Sequence, residues 1–196
     1  MLTASSIGVL WYRNAGKQFD AYQMLMASIK QGGGPRAPHP RSNTPSSGAD
    51  DLQIRAVRRK DLDQVIAIDA TVTGLEKRKY WLSVFRRYGV GARNSQQFLV
   101  DLLEDEVVGF VIGEVRDWEF GSPPCGWVFA IDVDPQVRLS GVGTRLLAAI
   151  SMGFRRAGVR KLRTLLARDN TLILSFFRSQ GMMAGPLISL EMDLEQ

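Results

Sequence analysis

Cysteine and histidine are almost absent from this 196-residue chain, which has one of each, Cys125 and His39. A lone cysteine excludes an internal disulfide and a thiolate-rich zinc site, so the fold has to stand on packing, as suits a reducing cytoplasm. His39 lies in a Gly/Pro/Ser-rich stretch. That removes Ser-His-Asp, Cys-His and His-rich metal chemistry and leaves a carboxylate or water as base, with no metal. Long apolar runs are missing too. Ile7 to Tyr12 is apolar, but it has no basic segment before it and is far shorter than the roughly 20 residues of a membrane span, so it is expected to be neither signal nor anchor. Excess charge is scarce outside the N-terminal quarter. Residues 1–49 carry five Lys/Arg against one Asp, and the remainder 20 basic against 19 acidic residues. The formal charge of +5 therefore belongs mostly to the first 49 residues and speaks against nucleic acid as a partner of the rest.

What is present is a globular mixture, 45% hydrophobic and 23% charged, enough to bury a core. Gln31 to Ala49 contains four prolines and no large apolar residue, which predicts a flexible linker. The expected organisation is an N-terminal extension and linker over 1–49 and one domain over 50–196. Phe19, Tyr22, Met24, Leu25, Met26 and Ile29 suit either one short helix that packs on the domain or a partner, or a floppy extension.

Within the domain, Ile54 to Arg58 alternates as a short strand. Asp61 offers an N-cap with Gln64 three residues on as its capping-box partner, and Leu62, Val65, Ile66 and Asp69 follow at helical spacing up to Gly74. A second helix carries Tyr80, Trp81, Val84, Phe85 and Tyr88 as a core-like aromatic stripe, with Lys77, Arg78, Lys79, Arg86 and Arg87 expected as its solvated flank. Phe98 to Leu103 and Val107 to Val115 are two strands joined by Glu104-Asp105-Glu106, which favours an antiparallel hairpin. A turn-rich segment leads to Trp127 to Val133, a strand that is apolar except for Asp132. After a helix marked by Leu146, Leu147, Ile150, Phe154 and Ala157 come a strand over Lys161 to Ala167, a helix opened by Asn170, and two segments expected to close the sheet, Met182 to Ala184 and Leu187 to Leu194.

Between the strand ending at Val133 and the helix from Thr144 lies Val133-Asp134-Pro135-Gln136-Val137-Arg138-Leu139-Ser140-Gly141-Val142-Gly143-Thr144. Glycines let backbone N–H groups approach an anion, and the open amides of the following helix attract negative charge, so this loop suits phosphate. A P-loop would need Gly-Lys-Ser/Thr where Gly143-Thr144-Arg145 stands, and a dinucleotide fingerprint would need a third glycine.

The pattern Val133-x-Pro135-x-x-Arg138-x-x-Gly141-x-Gly143 resembles the pyrophosphate-binding motif, Gln/Arg-x-x-Gly-x-Gly/Ala, of the GNAT superfamily of acetyl-CoA-dependent N-acetyltransferases. Asn170, Phe177 and Gly181 fall at the spacing of that family's Asn-x6-Tyr/Phe-x3-Gly signature, and the order of elements over residues 52 to 194 agrees with its fold. The resemblance implies an α/β (α+β) domain with a mixed, largely antiparallel central sheet, splayed in the middle and flanked by about four helices. It implies acetyl-CoA as co-substrate and a primary amine, of a small molecule or of a protein or peptide, as acceptor. Backbone groups from Leu139, Ser140, Gly141, Val142, Gly143 and Thr144, with Arg138 beside them, would hold the pyrophosphate. Ile131 and Val133 would pair with the pantetheine arm, and Asn170 and Phe177 would complete the cofactor site.

The reaction so implied is direct attack of a neutral amine on the thioester. An acceptor of pKa about 10.4 costs roughly 4 to 5 kcal/mol to deprotonate near pH 7, so a base is expected. Glu114, Glu119 and Asp132 are the candidates. Simple strand alternation sets Trp127, Phe129 and Ile131 on one face and Asp132 on the other. Phe177 stands where many relatives of the resembled family carry a tyrosine that protonates the leaving thiolate. That departure keeps a second class open, a catalytically weak acyl-CoA-binding sensor or interaction module. Trp118, Phe120 and Trp127 are open between core, acceptor pocket and the interface of a homodimer.

Overall fold

The computed structural model describes residues 53–91 and 95–194. The expected extension, linker and domain start all lie outside these residues, as does His39. Five strands form one sheet in the order β1-β2-β3-β4-β5: β1 Gln53–Ala56, β2 Gln96–Leu103, β3 Glu106–Arg116, β4 Cys125–Val133 and β5 Leu162–Arg163. The first four are antiparallel neighbours, and β5 joins β4 in parallel. Four α-helices accompany the sheet: α1 Leu62–Thr73, α2 Arg78–Val84, α3 Val142–Arg156 and α4 Thr171–Ser179. This is the mixed, mostly antiparallel α/β architecture expected. Among the described residues no helix is long and apolar enough to cross a membrane.

The chain divides into two compact units, one ending at Leu165 and one starting at Leu166. In the first, alternation along β2 and β3 sends Phe98, Val100, Leu102, Phe110 and Ile112 to one face, where they pack with Leu62, Val65, Ile66, Trp81 and Val84 of α1 and α2. Trp81 sits edge-on to Phe110 with centroids 5.1 Å apart. The stripe continues through a π-helical turn at Phe85–Gly89, so Tyr88 is buried as well. The other face receives α3, and glycines permit its approach. A Cβ on Gly113 would meet Ile150 and Phe154, and one on Gly109 would meet Val142 and Leu146. The β2–β3 connection is a two-residue turn at Glu104 and Asp105, both at positive φ, the geometry that matches strand twist in tight hairpins.

Four local expectations are corrected. Asp61 does not cap α1 with its side chain. Its carboxylate instead accepts from the Arg58 N–H and from the Arg55 guanidinium, at 2.6 Å in each case. Gln64, freed from any capping box, reaches across to the hairpin, where it accepts from the Val107 N–H at 3.1 Å and pairs with Glu106. Lys77 is not solvated flank, because its side chain is 13% exposed and ion-paired with Asp69. The strand expected over Lys161 to Ala167 is regular at Leu162–Arg163 alone.

In the second unit, α4 begins where expected, with the Asn170 side chain accepting from the Ile173 N–H at 3.1 Å, and Gly181 follows its end at φ 82°. The closing strands over Met182 to Ala184 and Leu187 to Leu194 are absent, and Met183, Ile188, Leu190, Met192 and Leu194 are exposed. Apolar alternation makes a segment compatible with a sheet, but a strand forms when a neighbouring edge meets its N–H and C=O groups, and none does here among the described residues.

Candidate active site

Strand β4 is paired with β5 through Gly126 and Trp127 alone. From Val128 to Val133 its edge on that side has no partner strand among the described residues, although β3 accompanies it on the other side as far as Val133. The sheet thus opens beyond Trp127, and an extended chain has somewhere to bind.

The register of β3 against β4 slips between Ile112 and Gly113, which pair with Ala130 and Val128 and leave Phe129 as an extra residue. Such a bulge resets the alternation of side chains. Trp127 lies opposite Glu114, Ala130 opposite Ile112 and Asp132 opposite Phe110, while Phe129 packs on Tyr88 with centroids 5.1 Å apart. Trp127, Phe129 and Asp132 therefore share the face of α1 and α2, with Ile131 on the face of α3. Unbroken alternation from Trp127 gives the wrong answer for Asp132, because it misses the inserted residue.

Asp132 is half-buried, and among the described residues its carboxylate accepts no hydrogen bond and makes no ion pair. Burial pushes its carboxyl up to about 7, the Asp69 carboxylate adds to the rise, and Lys77 and Arg138 oppose it. Asp69, on the buried face of α1, is tied down: Lys77 Nζ donates to it at 2.9 Å and Trp81 Nε1 at 2.8 Å. Tyr80 belongs to the same group. Burial raises its hydroxyl to about 12, helped by the carboxylates of Asp69 and Asp132. Sequence reasoning placed Asp69, Lys77 and Tyr80 in helix faces without a role. The available signal was a carboxylate at Asp69 in the apolar i, i+3, i+4, i+7 row of α1.

Glu114 and Glu119 belong to a different place. Glu114 is buried and fully engaged, accepting from Tyr88 Oη at 3.0 Å and Arg116 Nε at 3.1 Å, with Arg87 at 3.6 Å. Glu119 pairs with Arg116 at 3.6 Å, within the β3–β4 connection. Both stand near the start of β4, about five residues and roughly 15 Å along the strand from Asp132. Trp127, covered by Arg116 and Arg163 at 5.1 and 5.9 Å, is buried beside them, and Trp118 and Phe120 are exposed at positive φ.

The loop after β4 is built to present amides. Asp134 caps a short 3₁₀ turn at Pro135–Val137 by accepting from the Gln136 N–H at 2.9 Å, and Ser140 Oγ donates to the Val137 carbonyl at 2.6 Å. Leu139 and Gly141 take φ of 69° and 83°, and Gly141 is the N-cap of α3 without a side-chain cap. The first N–H of α3 to find a partner is that of Arg145, which donates to the Gly141 carbonyl at 3.0 Å. No internal acceptor is recorded for the N–H groups from Arg138 to Thr144. These unpaired donors at a helix N-terminus, with the Arg138 side chain exposed beside them, fit a polyanion. Ile131 and Val133 lie on the open edge leading to it. In the second unit, Asn170 uses its side-chain oxygen as a helix cap, and Phe177 is buried against Phe176.

The acetyltransferase (GNAT) family model matches residues 63–182. A search of curated proteins found no significant match. Among solved structures, the chain is similar to aminoglycoside N-acetyltransferase AAC(6')-Iy in complex with CoA, at TM-score 0.64 and 17% identity over 73% of this chain and 95% of that one. It is similar to a transcriptional regulator from Bacillus halodurans C-125, at TM-score 0.63 and 16% identity, covering 73% of this chain and 99% of that one. A third is an aminoglycoside acetyltransferase from an uncultured soil metagenomic sample in complex with sisomicin, at TM-score 0.60 and 18% identity, covering 76% and 100%.

Proposed function

This chain belongs to the acetyltransferase (GNAT) family, and from that premise we propose that it is an N-acetyltransferase that moves the acetyl group of acetyl-CoA to a primary amine by direct attack in a ternary complex. The observation that carries the reading is the open edge of β4, which bears Asp132 and runs into a loop of unpaired amides. The donor's pyrophosphate is held by N–H groups of Leu139 to Thr144 with Arg138 beside them. Its pantetheine amides pair with the backbone of Ile131 and Val133 as an added strand would. Asn170 and Phe177 are carried over from the family signature as cofactor residues.

Asp132 is the base. Its carboxyl titrates near 7, matched to taking a proton from an ammonium near neutral pH, and it has no competing partner to release first. The fixed Asp69–Lys77 pair and Tyr80 line the same face and give the acceptor a polar, partly desolvated approach. Because Phe177 has no hydroxyl, the leaving thiolate, with a pKa of about 8.5, takes its proton from water.

Amino sugars are the first acceptors to try, since two of the similar structures are aminoglycoside acetyltransferases. Thiol release from acetyl-CoA, measured against a panel of amino sugars, polyamines and peptide amines, tests the reading. Turnover with at least one amine, lost in Asp132→Asn, is expected. Tight CoA binding without turnover on any amine overturns the enzyme reading in favour of the sensor.

A further inference from the structure

The amide loop rests on an ion pair between α3 and β2, a strand two places from β4, on the face of the sheet that α3 covers. Arg145, in the first turn of α3, places Nε 3.0 Å and Nη2 2.9 Å from Asp101 Oδ2, and its Nη1 donates to the Ser140 carbonyl at 3.1 Å. Asp101 belongs to β2, where the register against β3 slips immediately after it, and its side chain is 0% exposed. Its other oxygen, Oδ1, has no hydrogen-bond partner, so Arg145 is the one side chain that answers the buried charge, helped by the Leu102 backbone N–H. The guanidinium lies directly under the loop: a Cβ on Gly141 would be 3.6 Å from Nη1.

In a trans peptide the C=O of one residue and the N–H of the next point in opposite directions. With the Ser140 carbonyl drawn down onto Arg145, the Gly141 N–H points away from it, out of the loop, and that N–H has no partner within the chain. The positive φ of Leu139 and Gly141 on either side is the backbone arrangement in which neighbouring N–H groups converge.

We propose that Arg145 is the positioning residue of the pyrophosphate loop: anchored on Asp101, it captures the Ser140 carbonyl and thereby aims the Gly141 N–H at the phosphates. The inference rests on the proposed use of the loop. Arg145 acts here through orientation and not through its own charge, which Asp101 neutralises. The two roles predict opposite results for Asp101→Asn. If Arg145 attracted phosphate directly, removing the Asp101 charge would free a cation and strengthen CoA binding. If Arg145 is a strut, the same isosteric change lets it swing off the Ser140 carbonyl and weakens binding.

The test is titration calorimetry on the full chain with two ligands, CoA and pantetheine, the second lacking the pyrophosphate. Wild type, Arg145→Lys, Asp101→Asn and the double variant Arg145→Met/Asp101→Leu are compared. The double variant removes both charges of the pair together and so stays foldable where Arg145→Met alone would strand the buried Asp101. In all three variants CoA affinity is expected to fall roughly tenfold, the size of one lost charge-assisted hydrogen bond, with pantetheine affinity unchanged. CoA affinity that is unchanged or increased in Asp101→Asn overturns the proposal, as does an equal loss for both ligands. A wild-type chain that binds CoA no better than pantetheine overturns the loop assignment itself, and it does so before any substitution is made.

Discussion

Asp132 and Glu114 are two carboxylates on one face of the same sheet, and their surroundings give them opposite properties. Glu114 is held by Tyr88 and Arg116, so its charge is already in use. Asp132 has burial and a neighbouring carboxylate to raise it and no partner to lower it through a hydrogen bond. Asp132→Asn should lower kcat by about 100- to 10,000-fold, the usual contribution of a general base, with less effect on KM for acetyl-CoA. In the wild type, kcat/KM should rise with pH and level off above an apparent pKa near 7, and the variant should lose that limb.

The same shift has a thermodynamic sign. A carboxyl raised from 3.8 to about 7 in the folded state contributes stability that is fully present below pH 3.8 and is lost as pH rises through 7, because the unfolded chain ionises more readily. Asp132→Asn should therefore melt higher than wild type at pH 8 and lose that advantage at low pH, by calorimetry at both values. Glu114→Gln should do the reverse of a catalytic change. It weakens the contacts to Tyr88 and Arg116, costs about 1 to 3 kcal/mol in denaturant unfolding, and leaves a measurable kcat.

At the scale of elements, the decisive units are the bulged strand β4 and the loop after it. The bulge at Phe129 is a mismatch between two strands, and it brings Asp132 to the face of α1 and α2. Alternation along β4 alone could not reveal it, because an inserted residue is defined against the partner. The glycine loop after β4 was legible for the opposite reason. Its requirements are local: glycine where φ is positive, a capped turn before it and a helix after it. Gly141→Val should cut CoA affinity at least tenfold, because a β-branched residue resists φ of 83°. Stability should fall by about 1 to 2 kcal/mol from backbone strain and not from crowding, since only Arg145 Nη1 lies within 4 Å of the new Cβ. Gly113→Ala should behave the other way round. Its Cβ would press on the Trp127 carbonyl and on Ile150 and Phe154 between sheet and α3, costing about 1 to 3 kcal/mol of stability in denaturant titration.

For the whole molecule, the two helical layers have different duties in the proposed enzyme. One face of the sheet carries α1 and α2 with the group of Asp69, Lys77, Tyr80 and Asp132, and the other carries α3, whose N-terminus presents the loop. The open edge of β4 is where the two duties meet. The proposed domain of residues 50–196 should accordingly bind CoA by itself. Expressed alone, it is expected to keep the circular-dichroism spectrum of a folded α/β domain and the CoA dissociation constant of the full chain. A loss of either would move the domain boundary upstream.

The sequence by itself determined the order of the elements as far as α4, the tight β2–β3 hairpin, the glycine loop between β4 and α3, and the family, because periodicity, turn chemistry and glycine placement are local properties. Tertiary structure alone decided which face Asp132 occupies, that Glu114 is consumed by Tyr88 and Arg116, that Lys77 is buried on Asp69, that Arg145 reaches Asp101 across 44 positions of chain, and that the apolar segments over 182–194 form no strand. Each of these depends on what a group meets from a distant part of the chain, a register, a charge or a free edge, and desolvation gives each its energy only once the partners are assembled.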